Sequence, residues 1–209
     1  MRWLLVAMLL VASPSLAEDE AGVFDYYVLA LSWSPNWCAA EGDARGADQC
    51  DPRHDYGFIL HGLWPQYERG WPADCATDAR DPSRAETAAM VDIMGSSGLA
   101  WHQWRKHGRC SGLAGRDYLA LSRAAFERIQ RPAVLRQVSR SLEIPPEVIE
   151  AAFLEENPGI VADGLTVTCR DGRLQEVRIC LSRELEPRIC GADVVRDCGR
   201  QSVRVEPIR

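Results

Sequence analysis

The ten residues WHQWRKHGRC, at positions 101–110, contain two of the four histidines of this 209-residue chain, His102 and His107. They also contain Lys106, the only lysine in the sequence. The other residues counted as lysine or arginine are all arginines. A chain that otherwise uses the planar guanidinium has kept a compact ammonium here. This stretch is therefore the starting point for both the fold and the chemistry.

On a helix, the polar side chains of this stretch share one side. At about 100° per residue they span about 140°, and two tryptophans lie on the other side. The polar group is His102, Gln103, Lys106 and His107, and the tryptophans are Trp101 and Trp104. A solvent-facing helix edge would give the same pattern. The scarcity of histidine and the single lysine favour a site of proton transfer and charge stabilisation.

A metal or cofactor site fits the sequence poorly. Helices that bind zinc carry histidines four residues apart, whereas His102 and His107 are five apart, and the glutamate of that motif is absent. No C-x-x-C pair, glycine-rich phosphate loop or Gly-x-Ser-x-Gly motif is present. We therefore predict no metal ligand and no cofactor.

A third histidine, His61, follows three apolar residues in FILHGLWP (58–65). By itself this pattern favours a buried core histidine over a catalytic group at a strand end. Two histidines from different elements, together with Lys106, suit phosphoryl transfer. One imidazole accepts a proton, the other donates one, and the ammonium stabilises the phosphate oxygens.

The hydrophobic pattern predicts an α+β fold. Apolar runs at 24–34 and 56–65 predict buried strands, alternating runs around Asp171-Gly172 predict a hairpin, and QSVRVEP (201–207) predicts a last strand. Helical spacing covers 85–94 behind a Ser83–Glu86 capping box, and then 99–108, 116–130, 132–142 and 145–157. Strands near both ends with helices between them indicate one domain.

The first seventeen residues have the features of a cleaved signal peptide, with Arg2, an apolar core and SLA ending at Ala17. The mature chain, 18–209, is then expected to be periplasmic or secreted, free of the membrane and monomeric. It retains eight cysteines, and an even count in an oxidising compartment predicts four disulfides. Removal of Arg2 leaves 23 basic and 30 acidic residues, a net charge of −7, which argues against non-specific coating of nucleic acid.

Two motifs resemble the ribonuclease T2 family, the acid endoribonucleases related to plant S-glycoproteins. FILHGLWPQY (58–67) is similar to the family's first active-site segment. HQWRKHGRCSG (102–112) is similar to the second, whose usual form is His-Glu-Trp-x-Lys-His-Gly-Thr-Cys. LALSWSPNWC (29–38) also matches the family's first strand. The resemblance implies a central antiparallel sheet packed with several helices, and metal-independent cleavage of single-stranded RNA with low base specificity.

The resemblance also implies roles for individual residues. His107 is expected to be the general base on the ribose 2′-OH, and His61 the general acid for the leaving 5′-oxygen. Lys106 is expected to stabilise the phosphorane and His102 to hold the phosphate. The products would be 2′,3′-cyclic phosphates and then 3′-phosphates. The tryptophans Trp64 and Trp104 are the candidates for stacking on a base.

Two residues depart from the family pattern. Gln103 replaces the glutamate and Arg109 the threonine. Gln103 still hydrogen-bonds, and so stays a candidate catalytic residue, but it carries no charge. An alternative is therefore a catalytically impaired member of the family that binds RNA or a protein. A third is a disulfide-rich binding module unrelated to catalysis.

The family pattern implies a bridge between Cys75 and Cys110. For the other cysteines we expect nested Cys169–Cys198 and Cys180–Cys190 bridges, leaving Cys38 with Cys50. The eight cysteines by themselves allow 105 pairings.

Overall fold

The structure is a computed structural model, and it describes residues 19–209. The predicted signal peptide lies outside the described residues. The strands are β1 (Tyr26–Trp33), β2 (Phe58–Gln66), β3 (Leu142–Ile144), β4 (Leu165–Arg170), β5 (Arg173–Leu181) and β6 (Val203–Val205). The α-helices are α1 (Ser34–Trp37), α2 (Arg84–Ala88), α3 (Val91–Met94), α4 (Ser97–Lys106), α5 (Gly115–Arg128), α6 (Ala133–Arg136) and α7 (Pro146–Glu156).

The six strands form one sheet in the order β2-β1-β5-β6-β3, with β4 also paired to β5. All the pairings are antiparallel except a single parallel one between β5 and β6, at Arg173 and Arg204. The predicted α+β fold with a central antiparallel sheet is confirmed. Strand β2 lies at the edge of the sheet, and helix α4 packs against it.

The two faces of the sheet differ in what covers them. Side chains at alternate positions of β1, such as Leu29 and Leu31, join helix residues such as Phe153 in the main hydrophobic core. The intervening positions face the other side, where Tyr26 and Val28 belong to a smaller cluster. This alternation is the two-residue period of a strand, and it leaves the second face available for polar groups.

His61 lies on this second face, at a β-bulge in β2. Ala30 pairs with Gly62 and Leu31 with Leu60, so His61 is the extra residue without a partner in β1. The bulge inverts the alternation, and Leu60 and Leu63 therefore both enter the main core. Bulges of this kind redirect side chains, often next to active sites.

Two of the predicted helices were wrong in extent. The predicted helix 85–94 is divided at Met90, whose N–H bonds the Thr87 carbonyl in a tighter turn. The predicted helix 132–142 ends at Arg136, because residues 142–144 instead form β3 against β6. In the second case, strand pairing from a distant part of the chain overrides a local helical pattern.

Four disulfides are formed, and all four expected pairings are confirmed: Cys38–Cys50, Cys75–Cys110, Cys169–Cys198 and Cys180–Cys190. The predicted hairpin is also confirmed. Asp171 and Gly172 have φ of 52° and 75°, as a two-residue turn with both residues left-handed requires. The hairpin fixes β5 beside β1, and β5 contributes to the site.

Candidate active site

His61 is held by a buried carboxylate. Its Nδ1 hydrogen-bonds Oε1 of Glu176, a β5 residue that is only 1% exposed. The His61 side chain is 34% exposed, so its far edge reaches the surface. With Nδ1 donating to the carboxylate, Nε2 is the nitrogen left for chemistry.

Glu176 is in turn fixed by Arg178. Its Oε2 accepts from Nε of Arg178 at 2.8 Å and lies 2.7 Å from the second guanidinium nitrogen. Burial alone would raise the pKa of Glu176, but the His61 hydrogen bond and the Arg178 charge outweigh burial and lower it. Glu176 is therefore an ionised carboxylate on the inner side of His61, where it accepts the hydrogen bond from Nδ1.

Trp64 connects the two motifs. Its indole N–H donates to Oε1 of Gln103 on α4 at 2.7 Å. Its ring centroid lies 5.3 Å from those of both His61 and His107. A Cβ at Gly62 would come within 2.4 Å of the two atoms of this hydrogen bond, so only glycine fits at 62. The indole thus fixes the spacing of the two histidines.

His107 lies just beyond the end of α4. The helix begins after Ser96, whose hydroxyl accepts from the Leu99 N–H, and it ends at Lys106, two residues earlier than predicted. His107 has φ −120° and ψ −44°, outside helical geometry, and it is 9% exposed. Because the backbone leaves helical geometry here, the His107 side chain does not point where a helical residue at this position would point. Its ring lies beside Trp64 instead.

The surroundings of His107 keep its imidazole neutral. Its Nδ1 is buried and has no hydrogen-bond partner among the described residues. Burial, with smaller contributions from the charges of Lys106, His61 and His102, lowers the pKa of His107 to about 3. Burial thus favours the neutral imidazole of His107, whereas His61 faces a carboxylate.

Lys106 and His102 lie on the exposed side of α4, as predicted. The charges of both act on His107. Among residues 19–209, no acidic side chain is within ion-pair distance of the Lys106 ammonium. Its charge therefore remains available to an anion placed against His107.

The expectation for Trp104 needs correction. Trp104 was a candidate for base stacking, but it is 0% exposed and its indole N–H donates to Asp81 at 2.7 Å. It is a core residue that anchors α4. Arg109, at the position of the family's threonine, also pairs with Asp81, at 3.0 Å. It therefore stabilises the loop before α2.

Gln103 is buried, at 2% exposure, although the helical projection placed it on the polar side. Its carbonyl oxygen is committed to Trp64, and its backbone carbonyl accepts from the N–H of His107 at 3.0 Å. Gln103 therefore fixes the indole of Trp64 in the first motif and the backbone of His107 in the second. The structure brings His61, Trp64, Gln103 and His107 together, with Lys106 and His102 at the rim.

A groove of about 360 Å³ opens beside His61. Its floor includes Ser32 and Ile59, and its rim carries Arg170 and Arg173 from the β4–β5 hairpin. The lining also includes the apolar side chains Trp33 and Leu174 and the acids Glu41 and Asp171, so the groove offers apolar surface together with charges of both signs.

Sequence reasoning missed Glu176 and Arg178. The signal was present in RLQEVRICL (173–181), where the single acid of a strand with several buried apolar residues stands two residues before an arginine. A buried carboxylate requires a partner, but the sequence does not show that the partner is a histidine 115 positions away.

The comparisons with known proteins agree with this geometry. The ribonuclease T2 family matches residues 24–190. The chain belongs to the ribonuclease T2 family. A ribonuclease of Aeromonas hydrophila is 35% identical over 202 residues, which cover 92% of this chain and 90% of that protein. Ribonuclease I of Escherichia coli is 31% identical over 137 residues, covering 47% and 51% of the two chains.

Solved structures share the fold of this family member. An RNase-related protein from Calystegia sepium superposes with a TM-score of 0.71 at 20% identity, covering 89% of this chain and 98% of that one. RNase NT in complex with 5′-AMP gives 0.58 at 21% identity, covering 88% and 98%. Within residues 19–209, no helix has the length and apolar character needed to cross a bilayer. Nor does that part of the chain group three or more potential metal-binding side chains.

Proposed function

We propose that this ribonuclease T2 family member is a metal-independent endoribonuclease that cleaves single-stranded RNA by attack of the ribose 2′-OH. The observation that carries the proposal is the contrast between the two histidines. His107 is a buried imidazole whose neutral, proton-accepting form is favoured by its surroundings. His61 is backed by the ionised Glu176, as a general acid requires.

The first step breaks one P–O bond and forms another. His107 takes the proton from the 2′-OH, and the 2′-oxygen attacks the adjacent phosphorus. The P–O5′ bond breaks, and His61 gives its proton to the departing 5′-oxygen. The products are a 2′,3′-cyclic phosphate and a 5′-OH end. In the second step water attacks the cyclic phosphate with the two roles reversed, which leaves a 3′-phosphate.

The remaining polar groups act on the phosphate. The unpaired ammonium of Lys106 stabilises the charge that grows on the equatorial oxygens, and His102 binds a phosphate oxygen from the same side of α4. Gln103 holds Trp64 and, through its backbone, His107. Its part in the reaction is to keep the base in position.

Low base specificity follows from the contacts available to a base. The partly exposed Trp64 offers an aromatic surface beside both histidines, and the groove next to His61 has an apolar floor. Stacking and apolar contact accept any base. The demand for a 2′-OH nucleophile excludes DNA as a substrate.

The cellular setting belongs to the same proposal. Four disulfides suit an oxidising compartment, and a cleaved segment 1–17 would deliver the mature chain to the periplasm or the medium. There, residues 18–209 would act as a single-domain monomer.

The proposal is tested with purified protein and single-stranded RNA in the presence of EDTA between pH 4 and 8. We expect cleavage with 2′,3′-cyclic phosphate ends that convert slowly to 3′-phosphates. RNA that is bound but not cut would instead support the alternative of a catalytically impaired binding protein. Cleavage abolished by EDTA would overturn the metal-independent mechanism.

A further inference from the structure

We infer that Glu176 is a positioning residue for His61, and that its buried carboxylate holds the imidazole with Nε2 free to face the substrate. The inference rests on the proposed acid role of His61. It concerns a residue that lies in neither of the two active-site motifs.

The sheet register brings the two side chains together. Ser32 of β1 pairs with Glu176 of β5 on one side and with Ile59 of β2 on the other. Glu176 and His61 therefore lie on strands that flank β1, and His61, two residues beyond Ile59, lies on the face that Glu176 occupies. The Ser32 hydroxyl between them donates to Oε1 of Glu176 at 3.4 Å.

The burial of Glu176 shows that its charge is matched to specific partners. A carboxylate that is 1% exposed is costly unless its oxygens are hydrogen-bonded. Oε1 receives His61 and Ser32, and Oε2 receives Arg178. One of these partners, Arg178, is 31% exposed and compensates the charge from the outer side. The carboxylate thus cannot turn away from His61 without breaking the Arg178 pair.

The charges around His61 come from three directions. Strand β5 supplies Glu176 and Arg178, and the segment after α4 supplies His107. The groove is bordered by further charged side chains: Glu41, Arg170, Asp171 and Arg173. Within the described part of the chain, Glu176 is the acid that hydrogen-bonds the imidazole. It orients Nε2 towards the leaving oxygen in the way that a buried carboxylate orients other catalytic histidines.

The direct test replaces Glu176 by glutamine, which keeps the shape and removes the charge. General acid catalysis contributes about 10²- to 10⁴-fold, and we expect Glu176→Gln to lower kcat by about 10-fold or more with little change in KM. We also expect the high-pH limb of the pH–rate profile to move to lower pH. Glu176→Asp, which restores a carboxylate, should recover part of the rate.

Further readouts separate this inference from simple misfolding and from the proposed function. Asp92→Asn removes a carboxylate paired with Arg123 that touches neither histidine, and it should leave the profile unchanged. Wild-type protein should show a protected Nδ1 proton on His61 by NMR, absent in Glu176→Ala, whether or not RNA is cleaved. The inference would be overturned if folded Glu176→Gln had the same kcat and the same high-pH limb as the wild type. It would also be overturned if the Nδ1 proton of His61 were unprotected in the wild type. Wild-type protein that leaves RNA uncut would overturn the proposed function alone.

Discussion

The two active-site histidines sit in opposite surroundings, although their rings contact the same indole. His61 projects from a bulge in a strand, is one-third exposed and is paired with a buried, ionised carboxylate. His107 follows the last turn of a helix and is 9% exposed, and its Nδ1 has no partner among residues 19–209. The carboxylate orients the first imidazole, and burial of the second disfavours its charged form. In the proposed mechanism, the surroundings rather than the residue type separate the acid from the base.

The largest effect is expected on removing the base. His107→Phe fills the same buried space and breaks no side-chain hydrogen bond, so the protein should stay folded. Cleavage of RNA should fall by about 10²- to 10⁴-fold, the range of general base catalysis. The initial rate of cyclic-phosphate formation measures the loss.

His54→Phe is the matched control, because His54 stacks on Tyr56 and lies outside the site. It should keep wild-type activity. Stability gives a second readout. Since folding lowers the pKa of His107 from 6.5 to about 3, the unfolded chain takes up a proton there as the pH falls from 6.5 and the folded chain does not. Folded stability therefore drops over this range. His107→Phe should lack that component, and equal pH dependence of unfolding in both proteins would contradict a buried neutral His107.

The second largest effect is expected on removing the disulfide that joins the two histidine-bearing segments. The Cys75–Cys110 bridge closes a loop of 35 residues and ties the chain after β2 to the chain after His107. Replacing both cysteines by serine should lower the free energy of unfolding by about 4 kcal/mol. Denaturant unfolding measures the change.

The Cys38–Cys50 bridge closes a shorter loop, with a separation of 12 residues. Replacing these two cysteines by serine should therefore lower the free energy of unfolding by less. Below the unfolding transition, loss of the 75–110 bridge should also slow RNA cleavage, because His107 is no longer fixed against Trp64. An unaltered rate would show that the indole alone positions His107.

A smaller effect is expected at the lone lysine. Lys106→Arg keeps the charge but spreads it over a larger planar group, and we expect kcat to fall by about 10-fold, since an oxyanion donor contributes about 10²-fold or more in total. Arg105→Lys makes the reverse exchange one residue away and should leave kcat unchanged. Full activity in Lys106→Arg would remove the explanation for the single lysine.

The smallest effect is a shift in pH dependence. Gln103→Glu places a negative charge beside Trp64 and His107, which stabilises the His107 imidazolium and raises the pKa of His107 above about 3. The base is then lost at higher pH, so the acid limb of the pH–rate profile should move up by about one unit. The product should remain a cyclic phosphate.

The exposed Gln137→Glu adds the same charge away from the site and should move neither limb. A fixed acid limb in Gln103→Glu would mean that Gln103 acts only through its hydrogen bond to Trp64.

The sequence predicted what depends on local pattern and failed where distant contacts decide. Strands β1 and β2, the 171–172 hairpin and the Ser83 capping box were confirmed, since each has a short-range signal. The helix 132–142 was wrong because β3 pairs with a strand 60 positions away. The same limit applies to the site. The motifs brought out His61 and His107, whereas Glu176 lies on a strand whose partner is not visible in the sequence.

Trp104 illustrates a related limit. The helical projection correctly placed it opposite the polar side chains, yet an aromatic residue inside an active-site motif was also expected to meet a base. Its indole instead fills the core and holds Asp81. The helical periodicity placed Trp104 on the correct face of α4. Only the packing of α4 against β2 showed that this face is buried and cannot contact a base.

The division of roles between the histidines is tested most directly by a substrate that needs no acid. A uridine 3′-(4-nitrophenyl phosphate) ester still requires removal of the 2′-OH proton, but its leaving group departs without protonation. We predict that His61→Phe, inactive on RNA, cleaves this ester at a rate close to the wild type, while His107→Phe cleaves neither substrate. Rescue of His107→Phe by the ester, with His61→Phe still inactive, would contradict the assignment of His107 as base and His61 as acid.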